Sequence, residues 1–272
     1  MVKKLFLILT LSLSFLGAAD LHEKIRSFMG TAKYEAQKNL INVLFAQNAQ
    51  FLNPNGDVNS IKVISVLKKN GLMQLLYDKP VNLRLAFRTK QDPFIFLKII
   101  NESLELMGYN YFLTNNALRD SGGFVWEIYL QTEHILDPEV FSNILEARGC
   151  TITNIVKNEN HYWFYDINSD NAYLSAKKIE SGITTPLGKP LNPYWIDIKH
   201  AQEITLSANA ADRWFPNVLF FDENLNLLSH VKADESTRTL KLKVPQGAVY
   251  LKISDTVMLD NIKHGLSLHV KE

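Results

Sequence analysis

One cysteine, seven histidines, a serine-glycine-glycine turn and two acidic turns are the groups in this 272-residue chain that could carry reaction chemistry. A nucleophilic Cys150 needs a thiolate, partial exposure and a neighbouring base. His161 is the local candidate base, expected opposite Cys150 across a hairpin. Yet Cys150 directly follows a glycine that ends a helical pattern, the position that Leu72 and Tyr109 fill in two related segments. It therefore reads as a buried packing residue. His22, His134, His161, His200, His230, His264 and His269 are scattered, and no pair has the spacing of a helical zinc motif. The turns Asp222-Glu223-Asn224 and Asp255 to Asp260 lack the alternating oxygen ligands of a calcium loop and read as hairpin turns. Ser121-Gly122-Gly123 joins two extended segments instead of opening a helix, so the phosphate-binding argument fails. There is no G-x-S-x-G elbow and no paired carboxylates. The expectation is a protein that is not an enzyme, with no catalytic residue, no metal and no cofactor; an envelope hydrolase has no support in these residues.

Aromatic side chains in loops are the candidates for binding. Trp214, with Arg213 and Phe215 in Asp212-Arg213-Trp214-Phe215-Pro216, and Tyr194 at a strand entry are the residues expected to meet a sugar ring or fill a partner's pocket. The competing reading closes the end of a core with Trp214. Trp195, alternating with Asp197, reads as core.

The elements that must position these groups begin with an export signal. Lys3 and Lys4, the apolar run Leu5 to Leu16, and Gly17-Ala18-Ala19 before Asp20 give a cleavable signal peptide over 1–19, cut after Ala19. A periplasmic or secreted protein is expected, and no later apolar run reaches the roughly 20 residues of a membrane span. Removing residues 1–19 leaves 27 basic against 28 acidic side chains, a formal charge of −1. With cations interspersed among acids, there is no electrostatic case for nucleic acid. A single cysteine allows no intrachain disulfide, so packing of the 46% apolar residues must supply stability.

Residues 57–168 repeat a helix, a glycine and two strands. Leu67, Leu104 and Leu145 sit four residues before Gly71, Gly108 and Gly149, and Val63, Ile100 and Phe141 sit eight before, which places each pair on one helical face. Asp57 or Ser60, Asp92-Pro93 and Asp137-Pro138 supply the starts. The extended segments Leu72 to Tyr77, Tyr109 to Thr114 and Cys150 to Val156 follow, then alternating strands such as Val81-Leu83-Leu85-Phe87 and Phe124-Trp126-Ile128-Leu130. His161 to Ile167 is aromatic on both faces, and one of them is a candidate meeting surface. Leu67-Lys68-Lys69-Asn70-Gly71-Leu72 with Leu83-Arg84-Leu85-Ala86-Phe87 resembles the second half of the POTRA module of envelope proteins. That resemblance implies protein binding by pairing at a sheet edge.

Residues 20–56 read as a helical segment, long or broken once near Gly30. A linker of turn formers spans 169–193, and seven short alternating runs over 194–272 predict a β-sandwich of jelly-roll type. Val218-Leu219-Phe220-Phe221-Asp222 with Leu225 to Leu228, then Val244-Pro245-Gln246-Gly247-Ala248-Val249-Tyr250-Leu251, resembles the pre-peptidase C-terminal domain. That family implies an accessory module without catalytic residues. The expected whole is α+β followed by all-β: an exported, non-catalytic scaffold or accessory subunit that binds envelope proteins, with carbohydrate or cell-wall binding through the sandwich as the alternative.

Overall fold

The computed structural model describes residues 20–158 and 161–272. The expected signal segment and its cleavage point lie outside the described residues. Among the described residues, no helix is long and apolar enough to cross a membrane. The chain is an α+β protein with a β-rich part, and it divides into two compact units at Tyr173/Leu174.

In unit 1 the leading segment is not one helix. It forms α1 (20–29), α2 (Thr31–Ala36), α3 (Lys38–Leu44) and a 3-10 turn at Asn48–Phe51. Gly30, at φ +82°, breaks the first junction, and Gln37 breaks the second. Leu21, Ile25, Phe28, Tyr34, Ile41, Phe45 and Phe51 are all buried in the same core as the sheet. The segment is a cover for that core.

Helices α4 (Ser60–Lys69), α5 (Pro93–Leu106) and α6 (Pro138–Glu146) each end at a glycine with positive φ. In all three the residue after the glycine donates its amide to the leucine carbonyl five back: Leu72 to Leu67 at 2.8 Å, Tyr109 to Leu104 at 2.9 Å, Cys150 to Leu145 at 3.0 Å. The leucine that packs is thus also the leucine that terminates the helix. Asp92 and Asp137 cap α5 and α6 as expected, whereas α4 is capped by Asn59, whose side chain accepts from the Lys62 amide. Ser60 is buried and serves elsewhere.

The strands β1 (Leu76–Thr89), β2 (Leu113–Asp120), β3 (Gly123–His134), β4 (Thr151–Asn158) and β5 (Tyr162–Asn168) form one sheet in the order β2-β3-β1-β5-β4. All neighbours are antiparallel except β1 and β5. The first helix-glycine segment departs from the expected hairpin. Leu72 to Leu75 stay outside the sheet, and Leu76–Thr89 is one 14-residue strand with a register shift between Leu76 and Val81. Pro80, which has no amide to donate, lies within that irregular stretch. Leu83, Leu85, Phe87, Trp126, Ile128, Trp163, Tyr165 and Ile155 bury one face against the helices.

Unit 2 has two sheets. One is β11 (Leu227–Lys232), β10 (Pro216–Phe221), β13 (Tyr250–Asp255), β8 (Tyr194–Asp197) and β6 (Lys177–Lys178); the other is β12 (Thr239–Lys243), β9 (Glu203–Ala208), β14 (Leu266–Lys271) and β7 (Thr184–Pro186). All seven expected runs are strands. Residues of the expected linker contribute β6 and β7, so it is part of the unit from Leu174 onward. Ile196, Val218, Phe220, Leu251 and Ile253 from one sheet and Ile204, Leu206, Leu266, Leu268 and Val270 from the other share one buried cluster. Trp195 is not in it. Strand β8 turns Ile196 inward, so Trp195 lies half-buried, stacked on Phe221 with ring centroids 5.4 Å apart.

Candidate functional site: an open sheet face and a free edge

Cys150, the candidate nucleophile, is placed away from the histidine expected to serve it. Cys150 is fully buried, and burial pushes its thiol up to about 11, with Arg148 pulling weakly the other way. In the hairpin β4–β5, Thr151 faces Asn168 while His161 sits beside the turn at the far end. The expected base is therefore remote from the sulfur. Among the described residues, no group of three or more His, Cys, Asp or Glu side chains could hold a metal ion. Asp255 orders its own loop: Oδ1 accepts from the amides of Val257 and Met258 and from Asn261, and Oδ2 accepts from the Phe215 amide.

The candidate binding aromatics are likewise committed. Trp214 has no exposed surface, and its indole N–H donates to the Ser254 carbonyl at 3.0 Å. Its two ring faces are packed in the core and not offered to a sugar. Phe215 is half-buried under the Arg213 guanidinium, 5.9 Å from the ring centroid, and the Tyr194 hydroxyl donates to the Gly188 carbonyl. The sequence alone left Trp214 open as a ligand contact because its segment is turn-like; what pins the segment is remote in sequence, on β13.

A different surface stands out. The side of the unit 1 sheet away from the helices carries three cross-strand rows. Leu113, Tyr129, Arg84, Tyr162 and Asn158 form the first; Asn116, Glu127, Ala86, Phe164 and Val156 the second; Leu118, Val125, Arg88, Asp166 and Asn154 the third. Arg84 bonds Glu127 at 2.6 Å and lies over the Tyr162 ring, while Arg88 pairs with Asp166 and lies over Phe164. Asn115 also donates to Glu127 at 2.6 Å. Each half-exposed pair is worth about 0–1 kcal/mol. Their effect is to hold the arginines flat on the aromatic rings, giving a charge-balanced, mixed polar and apolar face. The two-faced aromatic pattern of β5 is explained: Trp163 and Tyr165 fill the core, and Tyr162 and Phe164 belong to this face.

A hollow of about 670 Å³ lies where β1 and β5 end, beside α1. Several of its polar groups are bonded within the unit. Arg88 pairs with Asp166, Gln91 bonds Asp170, and Lys24 bonds Asn154 and the Ile155 carbonyl.

The two edges of the sheet are treated oppositely. On β4 the edge-facing groups of Ile155 are consumed within the chain: its amide donates to Ser60 Oγ at 3.3 Å, and its carbonyl accepts from Lys24 Nζ. Lys157 reaches the Phe28 carbonyl at 2.8 Å. Strand β2, at the other end of the sheet, pairs only with β3 among the described residues. All eight of its residues are exposed, Leu113 and Leu118 each 59%. It contains no proline and no lysine, the usual devices that blunt an edge. No family model, curated protein or solved structure matches the chain.

The plug on β4 is testable. Burial lowers the Lys24 ammonium below its ordinary value, with Asp166 opposing. Its retention there argues that the bonds to strand β4 outweigh the desolvation. Lys24→Met keeps the packed stem but leaves the Ile155 carbonyl without its lysine partner, and is expected to lower unfolding free energy by about 1.5–3 kcal/mol in urea titrations. An unchanged midpoint would refute the role assigned to Lys24.

Proposed function

We propose that the protein is an exported, non-catalytic modular component of the cell envelope that binds protein through the β2 edge of unit 1. A partner strand laid along β2 gains main-chain hydrogen bonds without special side-chain chemistry. Side chains at alternate positions would then extend the three rows of the open face. The observation that carries this reading is the contrast between β4, whose edge is plugged by Ser60 and Lys24, and β2, which is left fully exposed.

In this reading α4–β1, α5–β2–β3 and α6–β4–β5 are three copies of one helix-glycine-hairpin unit, the first with its two strands merged into one. Unit 2 is a β-sandwich that serves as an accessory module. The N-terminal segment 1–19 directs export and is removed, which places the working protein in the periplasm or outside the cell.

Chemical crosslinking in intact envelopes, followed by mass spectrometry of the crosslinked peptides, tests the proposal. Reproducible crosslinks from peptides flanking β2 are expected, in the extracytoplasmic fraction. Recovery of the protein from that fraction with no reproducible neighbour, or its recovery from the cytoplasm alone, would overturn it.

A further inference from the structure

We infer that the strand received by β2 is the β2 strand of a second copy of this chain, paired antiparallel about a two-fold axis through Leu118. This rests on the protein-binding reading above and names its partner. The argument starts from which side chains share a face. Leu113, Asn116, Leu118 and Asp120 lie on the open side, opposite Tyr129, Glu127, Val125 and Gly123 of β3; Thr114, Ala117 and Arg119 lie on the helix side. A two-fold axis perpendicular to the sheet keeps open side next to open side, so the two sheets join as one.

With Leu118 of one copy facing Leu118 of the other, Asn116 faces Asp120 and Ala117 faces Arg119, each pair occurring twice. The match is chemical as well as geometric. Leu118 and Val125 of both copies form a continuous apolar patch, Asn116 can donate to the Asp120 carboxylate, and no like charges stand opposite one another. Like charges directly opposite would be destabilising. A strand rich in lysine or glutamate would leave Leu118 unmatched, whereas β2 supplies its own complement.

The helix layer raises no barrier on the other side. Thr114, Ala117 and Arg119 are exposed, so the helices do not extend over β2. The register shift between Thr114 and Asn116 limits the regular pairing to Asn116–Asp120. Such an interface is small, and a reversible dimer is expected, not a permanent one.

Cys150 is the single cysteine of the sequence and is buried, so a cysteine placed on the surface reports alone. Cα atoms directly opposite in an antiparallel pair lie about 4.5–5.5 Å apart, within the range a disulfide spans. Under mild oxidation Leu118→Cys is expected to form a disulfide-linked dimer at least about tenfold faster than Val43→Cys, a more accessible site on α3. Light scattering on the unmodified chain should show mass rising with concentration, and Leu118→Lys should return it to monomer with an unchanged circular dichroism spectrum. A chain that stays monomeric, with Leu118→Cys crosslinking no faster than Val43→Cys, would overturn self-pairing. If envelope crosslinks from β2 then reach a different protein, the protein-binding reading survives; if they reach none, both fall.

Discussion

Trp214→Ala is expected to destabilise unit 2 by about 3–5 kcal/mol, the cost of deleting a fully buried tryptophan. The site cannot collapse to fill the space, because the segment around it is held on every side. The Arg213 amide donates to the Asn261 carbonyl, the Thr237 amide donates to the Trp214 carbonyl, and the Phe215 amide donates to Asp255. Asp212 accepts from both the ring and the amide of His264. Losing the indole also strips the Ser254 carbonyl of its partner, which adds to the penalty. Since domains are stable by only about 5–15 kcal/mol, a large share of the folding free energy is at stake. A melting temperature lowered by roughly 10 °C or more in the full chain is the expected reading. Unchanged stability would mean that the ring lies outside the core and would restore it as a ligand contact.

The second large effect separates three glycines that look equivalent. Gly71, Gly108 and Gly149 end α4, α5 and α6 with φ of +69°, +88° and +73°. Alanine at Gly71 or Gly108 meets nothing within 4 Å, so each substitution should cost only the backbone penalty of about 1–2 kcal/mol. At Gly149 an added Cβ would lie 1.9 Å from the Asn171 carbonyl oxygen and 2.7 Å from its carbon. That carbonyl belongs to a strap across the end of α6, tied down by the Tyr173 amide to the Arg148 carbonyl at 3.1 Å and the Tyr173 hydroxyl to the Ala147 carbonyl at 2.7 Å. Gly149→Ala should therefore cost about 3 kcal/mol or more. Denaturant titration of the three variants gives the order directly. Equal losses at all three positions would contradict the close approach of the strap.

The same comparison shows what could be read from residues alone. Helix ends were legible because a single local device, leucine then glycine four residues later, both packs and terminates each helix. Strands of unit 2 were legible because alternation survives within each short run. What escaped was set by contacts remote in sequence. Trp214 is buried by β13, some forty residues on, and Lys24 reaches Ile155 across 131 positions. The hairpin expected after α4 failed because Leu76–Thr89 is a single strand, paired with β3 along Val81–Thr89 and with β5 along Arg84–Arg88. The open face was visible only as an oddity of β5, aromatic on both sides. Its partners on β1 and β3 could be assigned to it only once the register was known.

Strand addition at β2 is most directly tested by placing a photo-crosslinking side chain at Asn116 or Leu118, and separately at Thr153 or Val156 on β4, in the protein expressed in its native cells. A discrete crosslinked product from the β2 positions is expected, at the mass of two copies, with little or none from the β4 positions. Products of equal yield from both edges, or none from β2, would contradict the account.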